Sequence, residues 1–72
     1  MIGEGMKVRF IPHFAESTKY TPEERREAAV TATVVYINWE HKCFTVEWES
    51  IGGTLRETFK LWEIGEKVKV VG

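Results

Sequence analysis

Seventy-two residues bound this chain to one small domain, 1–72, with no room for a second core or for a large α/β enzyme. Ten Lys and Arg stand against eleven acids, all Glu, for a net charge of -1, and the charges are spread evenly along the chain. That balance argues against a phosphate backbone gripped by clustered cations, and 43% hydrophobic residues argue against a disordered chain.

No apolar run approaches the roughly 20 residues of a membrane span, and the N-terminus lacks the pattern of a secretory signal. Cys43 is the one cysteine, so no internal disulfide forms and a cytoplasmic setting is expected. Residues 1–5 read as a flexible leader ahead of Met6.

Met6 to Ile11 reads as the first strand, with Met6, Val8 and Phe10 on one face and Lys7 and Arg9 on the other. Pro12 ends it, since proline cannot donate to a ladder. A long connection over residues 12–28 follows. Within it, Thr21-Pro22-Glu23-Glu24 carries a capping box and a proline at the first helical position. The Arg25 to Ala29 stretch has no apolar stripe, so one or two helical turns are expected.

Val30 to Asn38 is rich in β-branched residues and reads as the strongest strand. Both of its parities are partly apolar. Residues 38–42 form a turn. Cys43 to Glu49 alternates, with Phe44, Val46 and Trp48 inward. Gly52-Gly53 marks a hairpin, and Thr54 to Lys60 returns with Leu55 and Phe59 inward. Glu57 shares their parity, so its carboxylate needs a donor, a bulge or an opening to water. Leu61 to Gly65 fits one 3-10 turn, and Lys67 to Val71 a last strand with Val68 and Val70 on one side.

This layout predicts an all-β fold: a small five-stranded SH3-like barrel with a long first loop and a short 3-10 turn before the last strand. Phe44, Val46, Trp48 and Phe59 are the expected centre of the core.

The segments Thr33-Val34-Val35-Tyr36-Ile37-Asn38, His41, Phe44-Thr45-Val46-Glu47 and Leu55-Arg56-Glu57-Thr58-Phe59-Lys60 resemble small uncharacterised SH3-like barrel proteins of Gram-positive bacteria and their phages. Ala32 stands where that pattern has Gly, and Thr58 where it has Ser. The resemblance implies a barrel and a phage or prophage origin. It carries no catalytic residue.

Composition and motifs favour a non-enzymatic binding module acting through protein–protein contacts. Tyr20, Tyr36, Trp39, Glu40 and His41 are the candidate binding residues, a set of aromatics with acids suited to a peptide. The alternative is a weak RNA- or DNA-binding barrel using Lys7, Arg9, Arg56, Lys60 and Lys69, provided Glu47 and Glu49 do not cancel that stripe. His41 and Cys43 lack the second ligand pair of a zinc site. No phosphate loop, nucleophile elbow or His-Glu-x-x-His occurs, so no cofactor, metal or catalytic residue is expected.

Overall fold

The computed structural model describes residues 2–13 and 19–71. Residues 14–18 of the long first loop lie outside them. Strand β1 spans Lys7–Phe10, helix α1 Pro22–Glu27, β2 Val30–Asn38, β3 Cys43–Ser50, β4 Gly53–Lys60 and β5 Val68–Val71, with a 3-10 turn over Leu61–Glu63. All five strands form one antiparallel sheet in the order β4-β3-β2-β1-β5.

Helix α1 follows from its first four residues. The Glu24 N–H donates to Thr21 Oγ1 at 3.1 Å, and the Thr21 N–H donates to Glu24 Oε1 at 2.8 Å. Pro22 supplies a fixed φ where no N–H is needed. The helix stops after six residues because it has no buried side chain to extend it.

The core lies on one side of the sheet. Val8 and Phe10 of β1 stand opposite Ala32 and Val30 of β2, and opposite Val70 and Val68 of β5. In β2 the register shifts between Val34 and Tyr36. Val35 is the extra residue of a bulge. Before it Ala32 and Val34 point inward; after it Ile37 does, opposite Phe44, while Tyr36 stands opposite Thr45 on the outside. The bulge resolves the two apolar parities of this strand. The β3–β4 hairpin keeps unbroken register from Cys43↔Lys60 to Ser50↔Gly53, and Gly53 closes it at a φ of 122°.

Phe44, Val46, Phe59, Val8, Phe10, Ala32, Val34 and Val68 are buried. Trp48 is corrected to half-buried, and Leu55 to exposed, because both sit toward the projecting end of the hairpin, on and beside the sheet edge. Ile2, in the leader expected to be flexible, is also buried. The Gly5 N–H donates to the Val34 carbonyl at 2.8 Å and the Val34 N–H to the Met6 carbonyl at 2.9 Å, which carries the leader along β2.

The sheet curls strongly. The Phe10 ring meets Trp48 at 5.2 Å and Phe59 at 4.9 Å between centroids, although β2 lies between β1 and β3, and both β2 and β3 lie between β1 and β4. Curling encloses the core without closing the sheet, and the expected SH3-like barrel is corrected on this point. β4 and β5 are the two edges, and no ladder joins them among the described residues. A polar cleft of about 240 Å³ stands in the seam, lined by His13, Glu57, Thr58, Phe59, Glu63 and Lys67. Side chains, rather than a backbone ladder, line this gap. The architecture is an open five-stranded antiparallel sheet, and the likeness to SH3-like barrel proteins expected from the sequence is corrected with it.

Glu57 stands inward, opposite Val46. The His13 N–H donates to its Oε1 at 3.1 Å, the kind of donor that its parity requires.

Candidate functional site

The turn between β2 and β3 is shaped by Asn38, whose Oδ1 accepts from the His41 N–H at 3.0 Å, and by Lys42 at a φ of 55°. The Leu61 N–H donates to the Lys42 carbonyl at 2.9 Å and docks the 3-10 turn beside it. Glu63 Oε2 accepts from the Lys60 N–H at 2.7 Å and fixes the start of that turn. Two tryptophans are thereby held on neighbouring turns at one end of the sheet.

Both point to water: Trp39 is 55% exposed and Trp62 is 67% exposed. Tyr36, turned outward by the bulge, is 54% exposed on the adjoining outer face. Glu40 and His41 are exposed on the same turn. Four of the five sequence candidates therefore gather here. Tyr20 belongs to the loop ahead of α1 and is half-buried rather than exposed. Sequence reasoning passed over Trp62. Its position in a 3-10 turn too short to have a buried face was the available signal.

The alternative basic surface is divided. Lys7, Arg9 and Lys69 share the outer face of β1 and β5, whereas Arg56 and Lys60 lie on β4. Three ladder steps of about 4.8 Å separate Lys7 from Arg56 along the sheet. Arg56 Nε also contacts Glu47 Oε2 at 2.8 Å, and Glu49 Oε1 accepts from the Thr54 hydroxyl at 2.8 Å. The five cations thus form no single stripe. The rest of this face is knit by hydroxyls: Lys7 Nζ donates to Thr33 Oγ1 at 2.6 Å, and Thr45 and Thr58 share a hydrogen bond at 2.9 Å.

Cys43 is half-buried at the start of β3 opposite Lys60, while His41 sits in the turn before it. Among the described residues no group of three His, Cys, Asp or Glu side chains is placed to hold a metal ion. No described helix is long and apolar enough to cross a membrane. In the seam, Glu57 receives the His13 N–H, and Glu63 holds the Lys60 N–H and lies 3.8 Å from Lys67 Nζ. These contacts tie the seam's carboxylates into local structure.

Comparison with known proteins finds no matching protein family, no matching curated protein and no matching solved structure.

Proposed function

We propose that this chain is a non-enzymatic binding module that docks a protein partner through the end of the sheet bearing Tyr36, Trp39 and Trp62. The exposure of both tryptophans on two hydrogen-bonded turns carries this reading. A free Trp exposes a large apolar area, and aromatic residues of this kind anchor protein contacts. Glu40 and His41 supply a polar rim. Lys42 and Lys60 flank these two turns, while Lys7, Arg9 and Lys69 lie on β1 and β5 and Arg56 is paired with Glu47, so no run of cations leads a polyanion onto the rings.

The test compares wild-type and Trp39→Ala/Trp62→Ala chains as affinity baits, with quantitative mass spectrometry of the captured proteins. A defined partner retained by the wild type and lost from the double variant supports the reading. Equal retention by both baits overturns it.

A further inference from the structure

The outer face of β1 and β5 contains a like-charge pair. Arg9 stands directly opposite Lys69. Like charges in that position are destabilising. Among the described residues neither Arg9 nor Lys69 meets a carboxylate; the Arg9 guanidinium donates instead to Thr31 Oγ1 at 3.1 Å. That bond uses one donor of the guanidinium and leaves the rest of its fork for an acceptor.

The pair borders a cleft of about 280 Å³, with apolar lining from Phe10, Ile11, Ala29 and Val71. Ile11, Ala29 and Val71 are half-buried, so apolar surface is left open at the foot of two cations. The turn ahead of β5 fixes the rim. The Gly65 N–H donates to the Val68 carbonyl at 2.7 Å, Ile64 bridges Val68, and the Lys67 N–H donates to the Glu63 carbonyl at 3.0 Å. This turn sets Glu66 and Lys67 against the cleft. Lys67 Nζ lies 3.8 Å from Glu63 Oε1, so Arg9 and Lys69 are the cations left to a ligand.

The geometry points to a ligand site: we infer that this cleft binds a small amphipathic monocarboxylate, its carboxylate between Arg9 and Lys69 and its apolar body over Ile11 and Ala29. A carboxylate matches the planar fork of a guanidinium and relieves the repulsion between the two cations. Arg9 and Ile11 are one same-face step apart along the strand, about 7 Å, which a single ring on a short carboxylate chain covers. The volume lies just below the range of roughly 300–1,000 Å³ that holds drug-sized ligands, so the body is about one ring in size. Charge narrows the class further. Arg9 and Lys69 against Glu66 leave one positive charge, which one carboxylate balances, and Glu66 repels the second charge of a phosphate or a polyanion. Exposed ion pairs contribute little by themselves, so the apolar floor must contribute as well, and a bare carboxylate such as acetate lacks the body for it. The site is separate from the aromatic end, and either can fail without the other.

The test is an NMR titration of the 72-residue chain with 4-phenylbutyrate at roughly 0.02 M salt, where surface charges are least screened. Controls are its neutral amide, acetate, inorganic phosphate and an acetylated Gly-Gly-Phe peptide with a free carboxylate. The expected result is shift changes at Arg9, Ile11, Ala29 and Lys69 with a Kd of about 1 mM or tighter, and binding of the amide, acetate and phosphate each at least about tenfold weaker. Lys69→Glu converts the like-charge pair to an attractive one. It should therefore weaken 4-phenylbutyrate at least about tenfold without lowering the urea midpoint, separating lost binding from lost fold. Lys69→Gln should weaken it in the same direction and decides the matter if the Glu variant is unstable. Equal binding of the amide removes the cations from the site, and equal binding of acetate or phosphate removes the apolar floor; either overturns the inference. The peptide bound at least about tenfold tighter than 4-phenylbutyrate assigns the cleft to a polypeptide end and overturns the small ligand. Shifts confined to Tyr36, Trp39 and Trp62, unchanged affinity in both Lys69 variants, or no binding at about 10 mM ligand overturn it as well.

Discussion

Phe10 of β1 meets Phe59 of β4 edge-on, 4.9 Å between ring centroids, across the concave side of a sheet that places two strands between them. In a flat sheet those strands would lie about 14 Å apart. The contact is therefore what the curl achieves, and the core depends on it. Phe10→Ala is expected to cost about 3–5 kcal/mol by urea unfolding, through lost transfer energy and a cavity at the centre of the concave face. Phe44→Ala should cost about as much, since Phe44 is fully buried and packs on Phe59 at 5.8 Å. A loss below about 1 kcal/mol for Phe10 would show that the curl is held by other contacts.

The leader is expected to contribute to the same core. Ile2 is buried and Gly5 hydrogen-bonds to β2. A chain beginning at Met6 loses that side chain and should be less stable by about 2 kcal/mol, the value of one buried Ile. Ile2→Ala in the 72-residue chain should account for most of the loss. An unchanged midpoint on truncation would contradict the burial of Ile2.

The strands were legible because their signals are local. Alternation placed Phe44, Val46 and Phe59, and the Thr21–Glu24 spacing placed the helix start. The bulge at Val35 was not legible, since one extra residue in a β-branched run leaves no compositional mark. The two partly apolar parities of β2 were its trace. Closure was misjudged for a related reason. Five strands and short turns suit a barrel, but whether β4 and β5 pair depends on the polar seam around Glu57, His13 and Glu63, which comes together only in three dimensions. The aromatic end was half legible: Trp39 and Tyr36 were singled out, while Trp62 joins them through a backbone hydrogen bond that no spacing announces.

Glu57 guards the β4 edge. It is an inward carboxylate on an edge strand, met by the His13 N–H. Glu57→Val removes the charge and extends an apolar inner face to the edge. The variant is expected to self-associate with rising concentration in light scattering, where the wild type stays unchanged. A monomeric variant over the same range would show that Arg56, Lys60 and the hairpin twist suffice to protect the edge.

Glu24 titrates below its ordinary value of 4.5, because the Thr21 backbone N–H and then the Thr21 hydroxyl favour its charged form. The sign follows directly. A depressed carboxyl pKa stabilises the fold above the unfolded value, and that contribution fades as pH falls through the folded value. Carbon-13 titration of the Glu24 carboxyl should therefore give a pKa below 4.5 in the wild type, moving back toward it in Thr21→Ala. An identical titration in both chains would remove the capping box from the account of α1.

The aromatic end makes a prediction that separates binding from folding. Trp39 and Trp62 are exposed, whereas Trp48 is half-buried against Phe10. Exposed side chains away from special contacts contribute within about 0.5 kcal/mol. Trp39→Ala/Trp62→Ala should accordingly leave the urea midpoint nearly unchanged, while the remaining emission, from Trp48, shifts to shorter wavelength. Partner capture should fall in the same variant. Labelled single-stranded RNA and duplex DNA, titrated at roughly 0.15 M salt, should bind weakly and lose binding as salt rises, since Arg56 is paired with Glu47 and Lys7, Arg9 and Lys69 lie on the opposite half of the outer face. Sub-micromolar, sequence-dependent binding that disappears with Trp39 and Trp62 would transfer this surface from proteins to nucleic acid. An unfolding free energy lowered by more than about 1 kcal/mol in the double variant would instead make the two tryptophans part of the fold, because only packing that the folded state needs could be lost on that scale.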